Sequence, residues 1–373
     1  MKSTKLKLTA SKEKTILVQL VWDRMTREQS RDSLEELEHL ADTAGVTVVG
    51  AITQHRDRPS SHYFIGEGKA QEVQLACQQA GANVVIFDNE LTPVQVNNLD
   101  LKLGVKVIDR TELILQIFAR RARSSEAQIQ VELAQLKYLV SRLPVSEKQA
   151  RFGGGFGMRG PGESPLNLRN APMRRRIREL QEKLDAIQDR RKQARSRRAW
   201  PLVALVGYTN AGKSTLLTAL TSAETYVDDR LFATLDTKTR LVHLPVGRDI
   251  LLTDTVGFIR NLPHGLVASF RSTLDEVCEA DLLLHVADAS HSFVTEHCEV
   301  VFDTLRAIGA DKIPYLLLLN KSDRANAVKA LPELQRIFPD AVPISAITPA
   351  AMPGLKAMIG RQLAGKPSAR STP

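Results

Sequence analysis

The sequence predicts an α/β chain in three parts: a small amino-terminal parallel-sheet α/β domain, an antiparallel helical hairpin with a glycine-rich tip, and a larger domain whose parallel sheet is flanked by helices. Three observations predict it. Short β-branched runs alternate with amphipathic stretches before residue 120 and again after residue 200, which is the rhythm of βα units. Between them, apolar residues recur at steps of three and four, the spacing of a narrow helical seam. An eleven-residue stretch, Gly153 to Glu163, holds six glycines and a proline and cannot continue a helix.

Strands of the first domain are expected at Ile16 to Val21, Val46 to Val49, Val84 to Phe87 and Val105 to Ile108, with helices such as Ser33 to Ala44 and Lys69 to Ala80. In the hairpin, Ile129, Leu133, Leu136, Val140 and Leu143 form one seam, and Ile177, Leu180, Leu184 and Ile187 the other. Each seam needs a partner, and the other lies nearest. The larger domain carries apolar runs at Leu202 to Val206, Ile250 to Thr253, Leu282 to Val286, Tyr315 to Leu319 and Val342 to Ile344, as a sheet covered on both faces requires. Helices fit after Lys213, His264, Ser292, Ala325 and Met352. The expected divisions are a basic tail at 1–14, the first domain at 15–123, the hairpin at 124–199 with its loop at 152–163, the larger domain at 200–365 and a disordered tail at 366–373.

Composition narrows the class. With 373 residues and 43% apolar content, the chain can build packed cores, which excludes a disordered or collagen-like protein. No apolar run reaches the length of a membrane span and the first fourteen residues carry five lysines, so a soluble, cytoplasmic protein is expected. Cys77, Cys278 and Cys298 are too far apart for a zinc or redox pair. The net charge is +9, and Arg174 to Arg198 alone holds eleven basic against four acidic residues. Such a stripe suits the phosphates of nucleic acid without sequence preference, and equally a solvated helix face.

The chemistry concentrates after the strand ending at Val206. Gly207-Tyr208-Thr209-Asn210-Ala211-Gly212-Lys213-Ser214, followed by Thr215, fits the phosphate loop and lies where that loop must lie, between a strand and a helix. Backbone N–H groups and the helix amino terminus meet phosphates, Lys213 reaches the β- and γ-phosphates, and the Ser214 hydroxyl ligates Mg²⁺. Asp254-Thr255-Val256-Gly257 ends a strand. Its carboxylate can hold Mg²⁺ through water and its glycine N–H can meet a γ-phosphate. Asn320-Lys321-Ser322-Asp323 supplies a carboxylate that accepts from both N1–H and the amine of guanine, where adenine offers an unprotonated nitrogen. Ser345-Ala346 is placed to support the base. These four elements in order predict a P-loop GTPase domain.

The residues also resemble a particular family. Phe232-Ala233-Thr234-Leu235-Asp236, Asp254 to Arg260 with Leu262-Pro263-His264, the tip Gly154 to Glu163 and Tyr63-Phe64-Ile65-Gly66-Glu67-Gly68-Lys69 are similar to signatures of the HflX family of ribosome-associated GTPases. The resemblance covers about residues 15 to 365. It implies that Thr234 is the switch threonine that closes on Mg²⁺ and the γ-phosphate. By position alone Thr237 and Thr239 compete with it. It further implies large (50S) ribosomal subunits and their rRNA as partner, with Phe156, Met158 and Arg159 of the tip and Arg174, Arg175 and Arg176 as RNA contacts, and a role in splitting or rescuing stalled ribosomes. No DNA sequence specificity, a monomer, and at most peripheral membrane association are expected.

Two details bear on hydrolysis. Phe258 follows Gly257, where Ras-like enzymes carry a glutamine that orients water, so unaided turnover should be slow. Asn210 precedes Lys213 by three residues, where related GTPases bind K⁺, although an asparagine there can equally bond its own turn. Lys213, Thr234, Gly257 and Asn210 are therefore the expected catalytic set. The alternative function is an RNA-remodelling protein with an ATP-dependent amino-terminal domain regulated by the GTPase domain, but no second phosphate loop occurs before residue 200.

Overall fold

The computed structural model describes residues 13–22, 25–142, 165–195, 200–221, 231–232, 238–245, 247–260 and 271–364. Contacts gather the chain into two compact units, Met1–Arg120 with Glu132–Gln181, and Arg121–Val131 with Glu182–Pro373.

The first unit is built on a four-stranded parallel sheet of β1 (Lys14–Val21), β2 (Thr47–His55), β3 (Val84–Phe87) and β4 (Lys106–Asp109), in the order β2-β1-β3-β4. The connecting helices are α1 (Arg27–Thr43), α2 (Glu67–Ala80) and α3 (Pro93–Leu103), and α4 (Arg110–Arg121) follows β4. Thr26 and Thr92 begin α1 and α3 with capping boxes closed by Gln29 and Gln95, which satisfy amide groups the first turn would leave bare. Ile16, Val18, Leu20, Ile65, Val73, Phe87 and Leu99 form the core. Strand β2 runs further than the expected Val46 to Val49, through Gly50, Ala51 and Ile52 to His55, paired throughout with β1. Its polar residues past Val49 hid it, because an edge strand has no need of a continuous apolar run.

Polar side chains lock the carboxyl edge of this sheet. Buried Asp88 accepts from Ser33 Oγ at 2.7 Å, Gln19 Nε2 at 3.0 Å and Arg110 Nη1 at 2.6 Å. Arg110 also pairs with Glu36. Asp109 accepts from the Tyr138 hydroxyl at 2.7 Å and from Arg142, so it ties the end of α5 (Ser125–Arg142) to the end of β4. Burial and the Asp109 charge both push the Tyr138 phenol upward.

α5 and α6 (Pro165–Arg195) are the two long helices expected of the hairpin. Leu180 and Leu184 are buried as the α6 seam predicts, with Ile177 and Ile187 half-buried. On α5 the buried stripe is broader than expected. Leu133 is buried, but Ile129, Leu136 and Val140 are half-buried while Ala127, Gln130, Val131 and Ala134 are buried. Small residues admit close neighbours, which a count of large apolar side chains does not register. Leu143 and the tip residues Phe156, Met158 and Arg159 lie outside the described residues. No described helix is long and apolar enough to cross a membrane.

The second unit carries a six-stranded sheet of β5 (Leu202–Gly207), β6 (Lys238–His243), β7 (Asp249–Asp254), β8 (Leu282–Asp288), β9 (Tyr315–Asn320) and β10 (Val342–Pro343), ordered β10-β9-β8-β5-β7-β6. Helices α7 (Lys213–Thr221), α8 (Arg271–Cys278), α9 (Val294–Ala307), α10 (Ala325–Ile337) and α11 (Met352–Leu363) belong to it. Leu205, Leu216, Leu252, Leu284, Val286 and Ile359 lie in its core. The sheet is not wholly parallel, since β6 runs antiparallel to β7 at one edge. That strand escaped the sequence reading because Val242 is its only buried residue, whereas β5 is buried at every position.

Candidate functional site

Strand β5 is flanked by β8 on one side and β7 on the other. The loop leaving its carboxyl end therefore opens at the point where the strand order reverses, the usual ligand crevice of such sheets. That loop is Tyr208 to Gly212, followed at once by the amino terminus of α7. Gly212 has φ +96°, and a Cβ there would stand 2.3 Å from Asn320 Nδ2, so no other residue fits. Asn210 is also left-handed at φ +58°, which asparagine tolerates better than most.

The ammonium of Lys213 is buried and donates to the carbonyls of Gly207 at 3.0 Å and Tyr208 at 2.7 Å. Burial lowers its pKa to about 8, opposed by Asp254 and aided by Lys321. The Ser214 hydroxyl donates to Asp254 Oδ2 at 2.6 Å. A hydroxyl and a carboxylate thus meet at one point, a hard oxygen pair of the kind that suits Mg²⁺. Thr255 does not face the loop, because its buried hydroxyl donates to the Leu205 carbonyl at 2.6 Å and braces the turn from behind. Val256 is nearly buried, and Gly257 lies so near Thr209 and Lys213 that an added Cβ would touch both.

Phe258 is buried and its backbone bridges the phosphate loop, donating to the Gly207 carbonyl at 3.1 Å and accepting from Thr209 N at 2.8 Å. Its ring therefore takes no part in ordering water.

At the other end, buried Asn320 donates from Nδ2 to the Ala211 carbonyl at 2.8 Å and accepts at Oδ1 from Ala346 N at 3.0 Å. One amide thereby joins the phosphate loop to the loop after β10. Ser322 N donates to the Ile344 carbonyl at 3.1 Å, and Asp323 stands exposed. Among the described residues the buried Ser345 hydroxyl has no hydrogen-bond partner, which suits a pocket that receives a polar ligand group.

Lys321 donates to the Asn210 carbonyl at 2.8 Å and to Asp288 Oδ2 at 2.6 Å. Asp288, at the end of β8, was missed in the sequence, although an apolar strand ending in a carboxylate followed by Ser290 was its signal. Burial works against its charge, but hydrogen bonds from Lys321 and Ser290 hold the carboxyl below its ordinary range.

The remaining expected residues are described only in part. Phe232 is buried at φ +55°, while Ala233, Thr234, Leu235 and Asp236 lie outside the described residues. On α6, Arg176 grips Glu132 of α5 through Nε at 2.7 Å and Nη2 at 3.0 Å, and Arg175 pairs with Glu179 at 3.2 Å. Arg174 is exposed and carries no such pair among the described residues.

Residues 31–119 match the family of GTP-binding GTPase amino-terminal domains, residues 121–198 the GTP-binding GTPase middle region, and residues 202–321 the 50S ribosome-binding GTPases. The chain is 48% identical over 320 residues to the GTPase HflX of Caldanaerobacter subterraneus, spanning 85% of this chain and 74% of that one. It is 43% identical over 361 residues to the GTPase HflX of Escherichia coli K12, spanning 95% and 84%. The chain belongs to the HflX family. It is a GTPase that binds GTP and GDP and converts GTP and water to GDP and phosphate. HflX relatives also include the protein of Alkalihalophilus pseudofirmus, 50% identical over 81% of this chain and 72% of that one. Among solved structures, SsGBP in complex with GDP superposes with a TM-score of 0.51 at 27% identity, covering 93% of this chain and 98% of that one.

Proposed function

We propose that this HflX GTPase is a switch on the large ribosomal subunit that splits or rescues stalled ribosomes, resting until the ribosome completes its catalytic site. Gly207 to Thr215 hold the phosphates of GTP, with Lys213 turning from the Gly207 and Tyr208 carbonyls to the β- and γ-phosphates. Ser214, Thr234 and Asp254 would hold Mg²⁺, which would neutralise phosphate charge when bound. Phe232 to Asp236 and Asp254 to Gly257 are the parts that sense the γ-phosphate. Asp323 reads guanine, with Asn320, Lys321, Ser345 and Ala346 shaping its pocket. Asn210 is offered to K⁺. The tip residues Phe156, Met158 and Arg159, with exposed Arg174, meet rRNA, and the three-part division of the chain at residues 124 and 200 separates these duties.

The observation that carries the reading is Asn320, whose single amide couples the phosphate loop at Ala211 to the base loop at Ala346. The reading of a needed partner is supported by buried Phe258, whose hydrocarbon ring stands directly after Gly257 and can neither donate nor accept a hydrogen bond to water. GTP turnover titrated with purified 50S subunits, in K⁺ and then Na⁺ buffer, tests activation, partner and cation together. The expected result is slow turnover alone and strong stimulation by 50S subunits in K⁺. Turnover indifferent to 50S subunits sinks the switch. Asp323→Asn should move preference from GTP to xanthosine triphosphate, and unaltered preference removes Asp323 from the base site.

A further inference from the structure

Three points fasten the segment around Gly257. On its amino side, Thr255 is held by its hydroxyl to the Leu205 carbonyl at 2.6 Å. On its carboxyl side, the Phe258 backbone is paired to Gly207 and Thr209. The third is a side chain, because the Tyr208 hydroxyl accepts from Arg260 N at 3.0 Å. Val256 and Gly257 are thus suspended between fixed neighbours.

The Tyr208 ring is itself held. It is 5% exposed and stacks on His297 of α9 at 3.8 Å between centroids, with the planes 3° apart. The His291 ring packs against His297, tilted by 37° at 4.4 Å between centroids, and the Arg260 guanidinium lies over Phe293 at 5.4 Å. Burial lowers the His297 pKa to about 3, with His291 and Arg260 acting in the same direction. The imidazole is therefore neutral and stacks as a flat ring. A tyrosine whose ring is clamped presents its hydroxyl at one place, and the Arg260 amide is registered against it.

We propose that Tyr208 and His297 form a positioning latch for GTP hydrolysis, in which the Tyr208 hydroxyl fixes the Arg260 amide and so the Gly257 amide, while His297 fixes the Tyr208 ring. The latch rests on the reading that Gly207 to Ser214 hold the phosphates. Phe258 cannot orient water, so the Gly257 amide has to be in place when the partner completes the site, and preorganised donors lose effectiveness when displaced by fractions of an ångström. GDP lacks the γ-phosphate and does not feel the loss.

The test measures kcat, KM for GTP and GDP affinity for four variants of the full chain. Tyr208→Phe keeps the stack and deletes the hydroxyl. It should lower kcat about tenfold, the worth of one well-placed hydrogen bond, with KM and GDP affinity within about twofold. His297→Ala should lower kcat similarly, and His297→Phe, which restores a flat ring, should recover it. An unchanged kcat in Tyr208→Phe overturns the latch. So does GDP affinity that falls in step with kcat, because the pair would then merely support the phosphate loop. Lys213→Ala separates the two levels. If it binds nucleotide normally, the phosphate-loop reading falls and the latch with it. If it loses nucleotide while Tyr208→Phe keeps its rate, the latch alone falls.

Discussion

Lys321 and Asp288 form a largely buried ion pair, 2.6 Å from Nζ to Oδ2, and the same ammonium reaches the Asn210 carbonyl. Asp288 thereby holds the lysine across the phosphate loop. Asp288→Ala leaves that ammonium with one partner and should weaken GTP and GDP binding equally, by about 2 kcal/mol or roughly 30-fold. Titration of a fluorescent GDP analogue reads this directly, and an affinity within threefold of the parent would show that Lys321 is held by the Asn210 carbonyl alone.

Gly257 has no room for a side chain. A Cβ would lie 2.9 Å from Thr209 Cα and 3.1 Å from Lys213 Nζ, and the former is backbone that cannot swing away. Gly257→Ala should therefore push the segment off the phosphate loop at a cost of about 1 to 3 kcal/mol. Single-turnover GTP hydrolysis should fall at least tenfold (about 1.4 kcal/mol), with GDP binding preserved. Equal losses for GDP and GTP would place the damage in the phosphate loop instead.

Lys213 makes nucleotide binding proton-linked. Its pKa is about 8 in the free protein against the ordinary 10.5, and a polyphosphate favours the ammonium. Between those values the unfolded chain holds more protons than the folded one, so this group makes the free protein more stable as pH rises through that window. GDP binding should conversely take up a proton there, and affinity should fall as pH rises through 8. Calorimetry at about pH 8.5 in two buffers of different ionisation enthalpy reads the uptake. Identical enthalpies would show a lysine already charged.

The basic stretch of α6 divides by structure. Arg176 is committed to Glu132, whereas Arg174 and Arg178 are exposed and form no ion pair among the described residues. Replacing Arg174 and Arg178 by Gln should weaken association with 50S subunits and reduce its salt slope by roughly 0.7 to 0.9 per lost phosphate contact. Arg176→Gln should leave that slope unchanged and lower thermal stability. A slope that follows Arg176 would show that its pair with Glu132 opens on RNA.

Residues adjacent in the chain carried most of what could be read in advance. The phosphate loop from Gly207 to Ser214, the turn from Asp254 to Gly257 and the Asn320 to Asp323 run were legible because each is a local conformation at a strand end. The burial rhythm located β5, β8 and β9 for the same reason. Tertiary structure alone decided that Lys321 meets Asp288, 33 residues away, that Arg176 meets Glu132, 44 residues away, and that Tyr208 lies on His297. It also decided that Thr255 braces the sheet and that polar β6 forms an edge strand. Backbone preference and burial periodicity act over a few residues and leave a pattern in the chain. Ion pairs and ring stacks depend on which helices, strands and loops the fold brings side by side, and no neighbouring residue records that.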